Sequence, residues 1–255
     1  MHMALRFLGV GNAQALALGN SAAVLEIGEV PRLLIDCGPT VPDAYQRQYG
    51  VQVPEAIFIT HNHIDHIGGL ETLFYRLACT NGQLRRVQLY VPAAIIERLH
   101  EQLGNDPMRL AEGGVNFWDC FQLIPVSDHF WHAGELFDVF AVQHHAYRSA
   151  FGLRLAGQFL YSGDTRPIPE VLARFADGRE PVFHDCALQG NPSHTGLGDL
   201  AKFYTAEQCR RLVLYHYESA FAGEQLRARG YRVAVKGQLF ELGEQPLDTD
   251  LPKSA

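Results

Sequence analysis

The stretch His61-Asn62-His63-Ile64-Asp65-His66-Ile67-Gly68-Gly69 constrains this chain more than any other. Three imidazoles and a carboxylate follow directly on an apolar run, Ala56-Ile57-Phe58-Ile59-Thr60, that reads as a buried strand. The cluster therefore sits at a strand's carboxyl end, where α/β sheets present their ligands. Extended backbone aims His61 and His63 the same way, and Asp65 and His66 come round at the next turn. Imidazole and carboxylate at this density suit borderline and hard divalent metals. The alternative, a polar histidine-rich loop with one capping Asp, leaves that density unexplained.

The chain has length enough for a large core: 255 residues, of which 47% are hydrophobic. A net charge of −7 argues against a broad basic surface for gripping a nucleic-acid backbone. No apolar run of about eighteen residues occurs, which predicts no membrane span. The N-terminus lacks the apolar stretch of a signal peptide. Cys37, Cys79, Cys120, Cys186 and Cys209 are scattered, with no C-x-x-C pair, as suits a reducing cytoplasm rather than a disulfide framework.

Strands are expected at residues 4–10, 21–27, 31–37, 56–60, 87–91, 121–125, 137–143, 151–155, 159–162, 182–185, 212–215, 231–235 and 239–242. Helices are expected at 43–49, 70–78, 93–103, after Pro167, near 197–204 and at 224–229. Residues 105–116, punctuated by Gly and Pro, form a candidate mobile lid or partner-contact segment. The run Asp128-His129-Phe130-Trp131-His132 reads as a loop packing its rings on the core. Strand-rich stretches capped by helices in both halves suggest two sheets face to face with helices outside. One domain is expected over 1–243, with a polar, disordered tail at 244–255.

Four donors within 61–66 do not complete two metal sites, so others are expected at strand ends downstream. His144-His145 closes the strand at 137–143, Asp164 the one at 159–162, and His216 the one at 212–215. Singly, each reads equally as a cap or a polar strand end. Their shared placement makes coincidence the weaker account.

With these residues in view, the sequence resembles the metallo-β-lactamase superfamily, whose H-x-H-x-D-H motif His61, His63, Asp65 and His66 match in full. The resemblance covers about residues 5–242. It implies an α/β fold, an αββα four-layer sandwich, with a two-metal site. Carried over by position, one ion takes His61, His63 and His145, the other Asp65, His66 and His216, and Asp164 bridges them. Whether His144 or His145 is the ligand stays open; the spacing to Gly152 favours His145. Zinc is the default, and manganese, iron or nickel suits the same ligands. Two such ions activate a water and clamp the attacking and leaving oxygens.

The stretch Tyr161-Ser162-Gly163-Asp164-Thr165-Arg166-Pro167 is similar to its counterpart in ribonuclease Z and related phosphodiesterases, as are Phe183-His184-Asp185-Cys186 and Ser193-His194-Thr195. By that resemblance Asp185 and His194 relay a proton to the leaving oxygen, and Asp65 joins them in catalysis. Ribonuclease Z carries an arm for transfer RNA between its third metal histidine and the bridging aspartate; residues 146–163 leave no room for one. Transfer RNA is therefore an unlikely partner, and the resemblance points to compact cyclic nucleotide phosphodiesterases, the phage anti-Pycsar enzymes among them. A lactone, ester or thioester hydrolase is the alternative on the same ligands, and a non-catalytic metal-binding module a third. The expected partner is a small phosphodiester, with a homodimer also compatible. Tyr147, Arg148 and Ser149, just after the histidine pair, are weaker candidates for contacting an anionic substrate.

Overall fold

The computed structural model describes residues 2–78, 86–105, 110, 113–175, 178 and 180–243. The strands, in chain order, are β1 (Met3–Gly9), β2 (Ala22–Ile27), β3 (Val30–Ile35), β4 (Ala56–Phe58), β5 (Val87–Pro92), β6 (Phe121–Val126), β7 (His129–His132), β8 (Glu135–Ala141), β9 (Phe151–Leu155), β10 (Phe159–Tyr161), β11 (Val182–Asp185), β12 (Leu212–Tyr215), β13 (Arg232–Val233) and β14 (Leu239–Glu241). They form two sheets of matching design, ordered β14-β1-β2-β3-β4-β5-β6 and β13-β12-β11-β10-β9-β8-β7. In the first, β14 to β3 pair antiparallel and β3 to β6 parallel. In the second, β7 to β10 pair antiparallel and β10 to β13 parallel.

Strands β2, β11 and β12 are buried at every position. That requires cover on both faces, which explains their largely apolar sequences, broken only by Glu26 in β2 and by His184 and Asp185 at the end of β11. One face is the opposite sheet: the Phe7 ring of β1 lies 5.3 Å from Phe183 of β11 and 5.6 Å from Tyr215 of β12. Toward the other end, Phe130 of β7 stacks on Phe58 and Tyr90. Helices cover the outer faces. The helix Gly69–Ala78 buries Leu70, Leu73, Phe74 and Leu77 at the spacing of one helical stripe. The four-layer expectation holds.

Three local expectations change. The run at 128–132 is an edge strand rather than a loop: Phe130 and His132 point inward while Trp131 is 65% exposed. The helix expected at 93–103 changes gauge, from a 3-10 turn (Ala93–Ile95) through an α-helix (Ile96–Leu99) to a π-turn (His100–Gly104). Short helices at Phe117–Cys120 and Ala206–Arg211, each opened by an Asn or Thr cap, escape periodicity because they are too short to show it. Of the candidate lid, residues 106–109, 111 and 112 lie outside the described residues, as does the tail at 244–255. No helix among the described residues is long and apolar enough to cross a membrane. Cys37, Cys120, Cys186 and Cys209 are buried and free.

Candidate metal centre

Five carboxyl ends of parallel-paired strands meet between the two sheets. Asp36 follows β3, His61 follows β4, Asp164 follows β10, Asp185 ends β11 and His216 follows β12. Left-handed backbone at Asp36 (φ 63°), Gly163 (φ 64°) and His216 (φ 66°) turns the chain sharply as it leaves each strand. Such conformations are costly for non-glycine residues and concentrate at functional sites. Gly163 admits no side chain, because a Cβ there would come within 2.7 Å of the Phe151 carbonyl. A Cβ on Gly38 would run into the Asp65 carbonyl, so that turn must also be glycine for the metal loop to close over it.

Two groups of donors that share Asp164 result, beside a third of Asp185, His194 and His216. His61, His63, His144 and Asp164 form one; Asp65, His66, His216 and Asp164 form the other, and within each the ligand atoms lie within 4.8 Å of one another. Asp164 belongs to both. Its Oδ2 is 3.7 Å from His61 Nε2, 3.2 Å from His66 Nε2 and 3.2 Å from His216 Nε2. Asp65 Oδ2 lies 3.4 Å from His66 Nε2 and 3.6 Å from His216 Nε2.

The imidazoles are held from behind. His61 Nδ1 is 3.0 Å from Thr60 Oγ1, and His66 Nδ1 is 2.8 Å from Asp36 Oδ2. His144 Nδ1 is 2.9 Å from the Ser193 carbonyl oxygen, and His216 Nδ1 is 3.4 Å from Asp185 Oδ1. Each of these four rings therefore turns Nε2 inward, the arrangement in which an outer partner fixes tautomer and orientation for a metal ligand. His63 offers its other nitrogen: Nδ1 lies 3.2 Å from His144 Nε2. The Nε2 atoms of His61, His66 and His216, and Oδ1 of Asp164, are buried without a hydrogen-bond partner. Buried polar atoms are almost always paired, and several converging orphans of the right chemistry are the mark of a place for cations.

Six of the seven sequence-predicted metal ligands come together. The exception is His145, which is exposed and 3.5 Å from Ser193 Oγ, while His144 is 2% exposed and inside the cluster. The preference for His145 is thus corrected. The extended backbone leaving β8 explains why: Phe140, Val142 and His144 alternate inward, and Ala141, Gln143 and His145 outward. That alternation was available in the sequence as Phe-x-Val-x-His.

Electrostatics divide the rings. Burial pushes His61 well below its ordinary value and brings His144 down to about 4, so both are neutral and ready to donate a lone pair. Burial also opposes charge on His216, but the Asp164 carboxylate, with those of Asp185 and Asp65 close by, outweighs it and pushes the ring up to about 10. Burial likewise disfavours the charged Asp65 carboxylate, yet the His216 and His66 imidazoles facing it hold it well below the usual carboxylate range.

Asp185 and His194 stand beside this centre as the sequence reading expects. Asp185 Oδ2 accepts from the Thr165 backbone N–H at 2.9 Å and lies 2.8 Å from His194 Nδ1. His194 in turn stacks on His216 with centroids 5.1 Å apart and lies 4.0 Å from Asp164 Oδ2. The residues that sequence reasoning missed are the supports: Asp36 and Thr60. Asp36 is fully buried and receives both the Thr60 N–H and Thr60 Oγ1–H at 2.8 Å. Its only sequence signal is an Asp closing an apolar strand before Cys-Gly-Pro, which reads equally as a cap.

A cavity of about 440 Å3 opens beside the first donor group, bounded by His61, His63 and His144. A larger one, about 660 Å3, lies at the opposite end of β1 and β3. There Arg6 and Tyr49 both satisfy Glu26, at 2.6 and 2.7 Å, and no donors converge.

The two matched sheets and the donor set at their strand ends define a protein of the metallo-β-lactamase fold. A crystal structure described as a new diphosphatase from the PhnP family superposes with a TM-score of 0.75, covering 95% of this chain and 100% of that one at 20% identity. Within the class, the chain belongs to the anti-Pycsar protein Apyc1 family, whose profile matches residues 3–240. The anti-Pycsar protein Apyc1 of Paenibacillus harenae is 30% identical over 250 residues, 94% of this chain and 100% of that one. The corresponding protein of Paenibacillus sp. (strain J14) is 33% identical over 226 residues, 85% of this chain and 90% of that one.

Proposed function

We propose that this chain is a two-metal phosphodiesterase cleaving a cyclic nucleotide or a similarly small phosphodiester in the reducing cytoplasm. The observation that carries the reading is the pairing of two donor groups through Asp164 with a separate acid, His194, set 4.0 Å from the shared oxygen. His61, His63 and His144 would hold one divalent cation and Asp65, His66 and His216 the other, with Asp164 common to both. Zinc is the default for such donors. Bound there, the cations supply an activated water and neutralise charge on the phosphoryl oxygens.

The chain's own residues supply the proton and its placement. Burial disfavours the His194 cation, but the hydrogen bond and charge of Asp185 outweigh it and raise the ring's pKa, which favours the protonated form. Nδ1 is occupied by Asp185, which leaves Nε2–H, with no partner among the described residues, to donate to a leaving oxygen. Asp185 is fully buried and holds both His194 and His216, so acid and metal ligand keep one fixed geometry. Between the histidine pair and Asp164 the chain forms only a turn and the β9–β10 hairpin. No arm for a large RNA stands there.

The test is a substrate panel run on metal-loaded protein: nucleoside 3′,5′-cyclic monophosphates, bis-p-nitrophenyl phosphate, linear dinucleotides, and a set of lactones and carboxylic esters. Turnover of cyclic nucleotides, lost in His194→Ala with metal content retained, is the expected result. Activity on lactones or esters with none on any phosphodiester overturns the reading.

A further inference from the structure

The cavity beside the metal centre has two walls that the chemistry above does not use. One is the turn at residues 146–149, which leaves the histidine pair and is closed by Ser149 Oγ–H donating to the Ala146 carbonyl at 2.7 Å. This turn holds Arg148 in left-handed backbone (φ 56°) and projects Tyr147, 90% exposed, with no ring contact among the described residues. A non-glycine residue in that conformation is stored strain, found where surrounding structure holds a side chain to a task. The other wall is the helical segment of changing gauge, which contributes Ile95 and Arg98. A π-turn follows directly at His100–Gly104, a distortion often retained at functional sites.

The helical wall is tied to the histidine loop. Asn62, between His61 and His63, donates from Nδ2 to the Ile95 carbonyl at 2.9 Å and is buried. The segment bearing Arg98 is thereby fixed relative to the donors. Arg98 and Arg148 have no ion-pair partner among the described residues. Two uncommitted guanidiniums at one cavity stand out in a chain of net charge −7. Guanidinium offers planar, paired N–H donors to phosphate oxygens, and an exposed phenol ring offers a face for a base. The volume, about 440 Å3, lies in the range of small-ligand sites and is too small for a folded nucleic acid.

Resting on the phosphodiesterase reading, we propose that this cavity seats the base of a nucleotide substrate and grips the outer edge of its phosphodiester beside the donor groups. Tyr147 stacks on the base, Arg98 and Arg148 hold the phosphodiester's anionic oxygens, and Asn62 is a positioning residue that fixes the helical wall relative to the donors. The structure thus selects a mononucleotide with a flat aromatic base over an alkyl phosphodiester.

Two measurements test it. Isothermal titration with a nucleoside 3′,5′-cyclic phosphorothioate, which resists hydrolysis, reads binding alone. Tyr147→Ala and Arg98→Ala should each weaken it about tenfold, near the lower end of what one stacked base or one charged contact contributes. Tyr147→Phe, which keeps the ring, should restore it. Kinetics then compare a cyclic nucleotide with the same cyclic ribose phosphate lacking its base. Tyr147→Ala should raise KM for the first about tenfold more than for the second, and Arg98→Ala should raise both. Tyr147 and Arg98 are both exposed, and circular dichroism checks that each variant folds. Unchanged binding and unchanged KM in both alanine variants of a wild type that hydrolyses cyclic nucleotides overturn the subsite. Tight, variant-sensitive binding without any hydrolysis instead overturns the phosphodiesterase reading and leaves the subsite standing.

Discussion

At the residue scale, the site is a matter of which nitrogen faces inward. His61, His66, His144 and His216 are each held at Nδ1, by a hydroxyl, a carboxylate, a backbone carbonyl and a carboxylate respectively. His144 and His145 are neighbours in sequence with opposite fates, and substitution separates them. His144→Ala should lose at least one metal equivalent by elemental analysis, while His145→Ala keeps both; equal loss in the two variants would refute the assignment. His216 carries a second expectation. Its folded-state pKa is pushed up to about 10, so without metal it is protonated at pH 7, and a cation must displace that proton. Zinc titration at pH 7 in buffers of different ionisation enthalpy should therefore show release of about one proton or more, with affinity rising as pH climbs toward 10. Buffer-independent heats would contradict it. The donors themselves were legible from their types and spacing. Asp36 and Thr60 were not, because an Asp or Thr at a strand end has an ordinary capping reading until its partner 30 or 24 positions away is seen beside it.

At the element scale, the strand-to-loop turns do the positioning. β10 delivers Asp164 only because Gly163 takes a left-handed turn over the Phe151 carbonyl. Gly163→Ala should cost about 1–3 kcal/mol in urea denaturation, from the backbone strain and the close approach together. A variant as stable as wild type would show that the turn tolerates a side chain. The helical segment after β5 is the element that periodicity described least well. Its apolar spacing predicts one helix, and Asn62 together with packing resolves it into three gauges. Periodicity averages over a turn and is blind to such changes. The strand β7 was hidden for a related reason: His129-Phe130-Trp131-His132 alternates, but over too few residues to outweigh its loop-like composition.

At the scale of the whole molecule, two sheets of the same strand plan lie face to face, and Phe7 locks them at the end that carries the site. Its ring is fully buried against Tyr161, Phe183, Tyr215 and Phe240. Phe7→Ala should lower stability by about 3–5 kcal/mol, the cost of a large core ring removed from a site that cannot collapse. A loss below about 1 kcal/mol would mean that the sheets repack around the gap.

The sequence by itself pointed to six of the seven side chains that converge, to the apolar strands that precede them and to the two-layer grouping of those strands, because residue type and short-range periodicity are local properties. Only the tertiary structure decided which of two adjacent histidines enters the cluster, which groups hold each ring from behind, and that Arg98 shares a cavity with Tyr147 and Arg148. Those facts depend on contacts between segments tens of residues apart, and local pattern carries no distance information across such gaps. His61-Asn62-His63-Ile64-Asp65-His66 carries four of the converging donors; the chain leaving β8, β10 and β12 brings His144, Asp164 and His216 to meet them.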